Sequence, residues 1–90
     1  MLNMESTTRI SPQEVIAKAL IFFGPQGYNL IVREQGENCI YFEGGGGRVD
    51  VTANIDQYGT TKVEVISTEW DYQTKKFFEE LPQAKTKHPF

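Results

Sequence analysis

Cys39-Ile40-Tyr41-Phe42-Glu43-Gly44-Gly45-Gly46-Gly47-Arg48-Val49-Asp50-Val51-Thr52 is the stretch whose reading decides the fold. A glycine run of this kind invites comparison with a phosphate loop, but such loops open a helix whose N-terminal amides point at the anion. Here the residues after Gly47 alternate apolar and polar, as a half-buried strand does. The position where a G-x-G-x-x-G motif needs its last glycine holds Val49. With Gly45-Gly46 as a two-residue turn of positive φ, the conformation that tight hairpins demand, Phe42 faces Val49 and Ile40 faces Val51 on one side of the sheet. The glycines therefore read as a register signal.

Working outward, strands are expected at about Tyr28–Arg33, Asn38–Glu43, Arg48–Ile55 and Thr61–Thr68. A loop Glu34-Gln35-Gly36 sets Leu30 opposite Ile40 and Tyr28 opposite Phe42. A loop Gln57-Tyr58-Gly59 sets Ala53 opposite Val63 and Val51 opposite Val65. Both loops end on glycine, where a type I turn with a G1 bulge needs a left-handed residue. The hairpins agree on one apolar face, and agreement between independent local signals is what a foldable sequence shows.

Two helices flank the strands. Ser11, Pro12 and Glu14 form an N-cap, a first-turn proline and a capping box, and Ile10 with Val15 occupies the two positions of a hydrophobic staple. Val15, Ile16, Ala19, Leu20 and Phe23 share one helical face, with Phe22 at its margin. Gly24-Pro25 ends this helix. The second helix begins near Thr68 or Asp71, carries Trp70, Phe77, Phe78 and Leu81 as its apolar stripe with Thr74 inside it, and stops at Pro82. Ser6–Ile10 is a candidate N-terminal edge strand. The expected fold is α+β, a four-stranded antiparallel meander plus that candidate fifth strand, with two helices packed on one face in the order (β)-α-β-β-β-β-α. Residues 6–82 form the single domain, and 1–5 and 83–90 read as flexible termini.

Length and composition narrow the function classes. Ninety residues give a thin core with little spare volume for an enclosed ligand. A net charge of −3 argues against general affinity for nucleic acid or anionic membrane, which need clustered Lys and Arg. One cysteine, Cys39, excludes an internal disulfide framework and suits a reducing, cytoplasmic setting. With that one cysteine and one histidine, His88, a zinc site or a Cys–His catalytic pair has too few parts. No apolar run approaches membrane-spanning length. Neither a cofactor, a metal nor an enzymatic activity is expected.

The helix start Ile10-Ser11-Pro12-Gln13-Glu14-Val15 is similar to that of the first helix in START-like proteins. The closing Val63-Glu64-Val65 strand, running into Trp70 through Leu81, resembles their last strand and long helix. The element order likewise resembles the TBP-like and helix-grip topologies, in which a curved antiparallel sheet wraps a C-terminal helix. Those domains are usually larger, and none of their functional residues transfers to a position here. The resemblance implies an apolar groove between sheet and second helix, lined by Tyr28, Phe42, Phe23, Trp70, Phe77 and Phe78, whereas the small size of the domain makes these six side chains simple core.

On the outward sheet face, Ile31, Cys39, Tyr41 and Ile66 are the apolar exceptions among charged and polar residues, with Ile31 and Cys39 expected as cross-strand neighbours and Tyr41 diagonal to them. Ile21 and Tyr72 likewise stand off the apolar stripes of their helices. These six residues are the candidate interface of a self-associating, non-catalytic interaction domain. A carrier of a small apolar molecule, using the groove residues, is the alternative.

Overall fold

The tetraglycine hairpin has the expected register. In the computed structural model, which describes residues 1–82, Phe42 pairs with Val49 and Ile40 with Val51, and Gly45 and Gly46 take φ of 58° and 82°. The elements run β1 (Leu2–Thr8), α1 (Pro12–Phe23), β2 (Ile31–Gln35), β3 (Cys39–Gly44), β4 (Gly47–Ile55), β5 (Thr61–Thr68) and α2 (Asp71–Glu80). The class is α+β. All strand pairs are antiparallel, in one five-stranded sheet of order β1-β5-β4-β3-β2. The tail reading of residues 83–90, His88 included, lies outside the described residues.

The β4–β5 hairpin also has the expected pairs, Ala53 with Val63 and Val51 with Val65. Its turn is organised by Asp56, whose Oδ1 accepts from the amides of Tyr58 (2.8 Å) and Thr60 (3.0 Å) while Oδ2 accepts from the Thr60 hydroxyl (2.6 Å). Gly59 supplies the left-handed residue at φ 82°. The Thr60 hydroxyl above all, and then the turn amides, hold the Asp56 carboxyl below its ordinary pKa of 3.8. A depressed folded pKa means that the stabilisation is fully present above the unfolded value and fades as pH falls through the folded one. Asp56→Asn is therefore expected to cost stability at pH 6 and less at pH 2.5, read as the difference in urea midpoint between variant and parent. A penalty that stays constant across this range would show that the charge plays no part.

Two expectations need correction. First, Met1–Glu5 is not a loose terminus, nor is the edge strand confined to Ser6–Ile10. β1 starts at Leu2 and pairs with β5 from Leu2↔Ser67 to Thr8↔Thr61. Leu2 and Met4 lean towards the helices and Asn3 and Glu5 away from them, and β1 satisfies the backbone groups along the edge of β5. The meander thus has a fifth strand throughout its length. Second, β2 begins three residues later than expected and is out of the expected register. Val32, not Tyr28, faces Phe42, and Gln35, not Leu30, faces Ile40, with an irregularity between Val32 and Glu34. The last carbonyls of α1 have no partners within the helix. They capture the following amides: Tyr28 N–H donates to Phe22 O (3.1 Å), Asn29 to Gly24 O (2.8 Å) and Leu30 to Phe23 O (2.8 Å). Residues 28–30 are thereby withdrawn from the ladder, and Asn29 turns the chain at φ 63°. The β2–β3 connection closes with Gly36 N–H on Cys39 O (2.9 Å), and Gly36 is not left-handed.

Both helices cover the same face. In α1 the capping box is formed, with Glu14 N–H on Ser11 Oγ and Ser11 N–H on Glu14 Oε1, each at 3.2 Å. Val15, Ile16, Ala19 and Phe23 are buried against Ile40, Phe42, Val49, Val51, Ala53, Val63 and Val65 of the sheet, and Phe77 and Leu81 complete the core from α2. The two ends of the domain are tied by the Thr8 hydroxyl, which donates to the Pro82 carbonyl. Thr74 is fully buried, and among the described residues its hydroxyl finds no acceptor. A buried hydroxyl without a partner keeps its desolvation cost, so Thr74→Val is expected to raise stability by about 1 kcal/mol in urea unfolding. A decrease would mean that the hydroxyl has found a partner in solution.

Candidate interaction surface

The six aromatic residues that the carrier alternative would set along a groove are brought together, and they touch one another. Phe23, Phe42 and Phe77 are at most 1% exposed. Phe23 lies 5.5 Å from Phe42 and 5.4 Å from Phe77, centroid to centroid, and Phe77 lies 6.1 Å from Phe78. These are contact distances for tilted and edge-on rings. Tyr28 and Trp70 meet as tilted rings, 5.8 Å between centroids, on the rim. The volume between sheet and α2 is occupied by these side chains.

Trp70 has a structural task. Its indole N–H donates to Gly44 O at 2.8 Å, and a Cβ at Gly45 would lie 2.7 Å from its Cζ2. Gly44 is pressed by Leu30, whose Cδ2 would be 2.7 Å from an added Cβ, and Gly47 by the Thr68 carbonyl at 2.0 Å. Gly46 alone in this run faces open space. The glycine run thus combines a turn requirement with close packing on Trp70, Leu30 and β5. An open depression of about 470 Å3 beside it is lined by Glu43, Arg48 and Thr68 together with the glycines.

The outer face of the sheet carries Ile31, Cys39, Tyr41 and Ile66, as expected, but not as one patch. Because β2 is out of the expected register, Ile31 lies opposite Glu43 while Cys39 lies opposite Thr52. Three residues of β3 lie between these two positions, which are about 13 Å apart along the strand. Asp50 stands between Tyr41 and Ile66, pairing with both. Ion pairs cross the face: Arg33 with Glu43 at 3.1 Å, Arg48 with Asp50 at 3.7 Å and Lys62 with Glu5 at 3.6 Å. Arg33, Tyr41, Phe42, Glu43, Arg48 and Asp50 line a shallow depression of about 360 Å3. The Cys39 sulfur first, then desolvation, and then the Glu34 and Asp50 carboxylates push the Tyr41 phenol above its ordinary pKa of 10.0. Tyr41 is therefore a neutral hydroxyl at physiological pH. Exposed pairs of this kind contribute at most a few tenths of a kcal/mol to about 1 kcal/mol each, and they keep the face wet.

The helical side is different. Ile21 is 60% exposed and borders a hollow of about 120 Å3, lined also by Lys18, Phe22, Phe77 and Glu80. Phe22, half-buried, packs edge-on against Tyr28 at 5.4 Å, and Tyr28 is itself 42% exposed. Ile21, Phe22 and Tyr28 thus form a continuous apolar strip. Tyr72 is 65% exposed and does not join it. It lies beside Met1 and Thr68, with the Lys76 ammonium 5.6 Å above its ring. Sequence reading identified Ile21 but missed Lys18 and Glu80. Lys18 precedes Ile21 by one helical turn and was legible as its neighbour. Glu80 belongs to the other helix, and only the tertiary packing brings it there.

Among the described residues, no three His, Cys, Asp or Glu side chains converge as a metal-ligand group, and no helix is long and apolar enough to cross a membrane. Compared with protein-family models, with curated proteins and with solved structures, the chain shows no match.

Proposed function

We propose that this chain is a non-catalytic interaction domain that associates with a second copy of itself. The observation that carries this reading is the continuous apolar strip of Ile21, Phe22 and Tyr28 on the helical side, beside a hollow with room for one aliphatic side chain. Scattered exposed apolar residues need no explanation, but a joined strip next to a concavity is what interaction surfaces offer. The outer-face residues Ile31, Cys39, Tyr41 and Ile66 are kept apart by charges, so they support the reading less. The carboxylates of Glu43, Asp50 and Glu5 on the outer face are paired with Arg33, Arg48 and Lys62 on an open surface.

A carrier of a small apolar molecule remains the other class of function considered, and no observation favours it, since the rings that were to line its groove fill the space. The element order supports the likeness to TBP-like and helix-grip domains at the level of fold, which carries no activity with it. The single half-buried cysteine supports a reducing compartment such as the cytoplasm.

Sedimentation equilibrium from about 1 µM to 500 µM tests the reading. A mass rising towards twice that of the chain is expected. A chain mass that stays constant throughout would refute self-association. Native mass spectrometry of the same sample separates the two classes, because extra mass of small-molecule size, lost on denaturation, would establish a carrier instead.

A further inference from the structure

Resting on that self-association, we infer that the contact is a two-fold one in which Ile21 of each copy enters the hollow of the other and Lys18 of each copy faces Glu80 of its partner. Three features of the surface lead there. The hollow between α1 and α2 has a protruding aliphatic side chain on one wall, Ile21, and a recess floored by Phe22 and Phe77. A cavity of about 150 Å3 accepts a benzene-sized group. The 120 Å3 hollow is therefore sized for a branched aliphatic side chain. Lys18 sits on the α1 side of this hollow and Glu80 on the α2 side, so the rim is positive on one wall and negative on the other. Neither residue forms an ion pair among the described residues.

A surface that carries a knob and a hole side by side, with opposite charges on the two walls, is complementary to itself after a half-turn. Rotation about an axis in the plane of contact, between the knob and the hollow, brings Ile21 of each copy over the hollow of the other and α1 of one copy towards α2 of its partner. Every contact then occurs twice, as an isologous interface requires. The same half-turn on the outer sheet face brings no such match. There Glu43, Asp50 and Glu5 are already paired with Arg33, Arg48 and Lys62 of the same copy, so their charges are satisfied without a partner. The second copy therefore belongs on the helical side. A dissociation constant on the order of 10 µM, in the range of weak and transient contacts, is expected.

Charge exchange tests this contact. Lys18→Glu alone sets a new carboxylate against Glu80 of the partner, and Glu80→Lys alone sets two ammonium groups together. Each is expected to weaken the dimer about tenfold. The chain carrying both exchanges recreates the pairs with their polarity reversed and is expected to dimerise within about threefold of the parent. Ile21→Asp is expected to weaken the dimer at least about a hundredfold, as loss of a central anchor does. Circular dichroism and thermal unfolding confirm that each variant is folded, which its exposed position favours. Tyr41→Glu, on the outer face, should leave the dimer intact. A parent chain that stays monomeric overturns both the self-association and this geometry. A parent dimer indifferent to Ile21→Asp, or unrescued in the double exchange, overturns the geometry alone. Dissociation by Tyr41→Glu would move the contact to the outer sheet face.

Discussion

Replacing Phe23 by alanine is expected to lower the free energy of unfolding by about 3–5 kcal/mol, the range for removing a buried aromatic ring. Phe23 is completely buried at the end of α1 and touches the rings of Phe22, Phe42 and Phe77, with centroids between 4.9 and 5.5 Å away. It is the one side chain in contact with ring partners from α1, the sheet and α2 alike. The lost transfer energy is joined by a cavity cost, because the sheet ring and the two helix rings cannot all collapse into one gap. A domain of this size has about 5–13 kcal/mol of total stability, so the variant should lose about a quarter of it or more. Urea unfolding at 10 °C, with the slope compared to the parent, measures this. A loss below about 1.5 kcal/mol would mean that the aromatic layer repacks freely, and would reopen the space a carrier needs.

Gly45→Ala should cost about 2–4 kcal/mol, whereas Gly46→Ala one residue away should cost about 1 kcal/mol. Both glycines are left-handed, at φ 58° and 82°, and alanine pays roughly 1 kcal/mol for that conformation at either site. The difference lies in what surrounds them. At Gly46 an added methyl meets nothing, whereas at Gly45 it would lie 2.7 Å from the Trp70 ring. Trp70 must then move, which strains or breaks its hydrogen bond to Gly44 O and its contact with Tyr28. Equal losses at the two sites would assign the glycines to turn geometry alone. Repeating both substitutions in a Trp70→Ala background should abolish most of the difference, because the coupling between the two residues is what a double-mutant cycle isolates.

Glu69, between β5 and α2, is a further left-handed residue, at φ 66°. It is exposed, and it lies against the tetraglycine turn where a Cβ on Gly47 would meet its own Cβ at 2.6 Å. The aromatic rim of Tyr28 and Trp70 is thus flanked by both of the left-handed non-glycine residues, Asn29 and Glu69. Non-glycine residues in this region are uncommon and persist where the surrounding packing imposes them. In this protein the packing in question is the seat of Trp70 on the hairpin.

Local chemistry was sufficient for the parts of the fold whose geometry is set within a few residues. The Gly45-Gly46 turn, the Gln57-Tyr58-Gly59 turn, the Ser11 capping box and the apolar faces of α1, β3, β4 and β5 were all legible in the sequence. Each depends on neighbours in the chain or on a period of 2 or 3.6 that repeats the same burial. The register of β2 was not legible, because it depends on whether residues 28–30 bond along the sheet or return to the carbonyls at the end of α1. Both arrangements bury Leu30, so alternation alone does not choose between them. The full length of β1 was hidden for a similar reason, since Leu2 and Met4 are a weak pattern until the open edge of β5 is there to receive them.

The same division holds for the interaction surface. The sequence by itself determined that Ile21 lies off the apolar stripe of its helix and that Lys18 shares its face, because helical periodicity places both. Only the tertiary structure decided that Ile31 and Cys39 stand apart, that Tyr28 extends the strip from Phe22, and that Glu80 of the other helix closes the hollow. Those are contacts between residues far apart in the chain, set by how the end of α1 meets β2 and how α2 lies over the aromatic layer, and no local propensity encodes them.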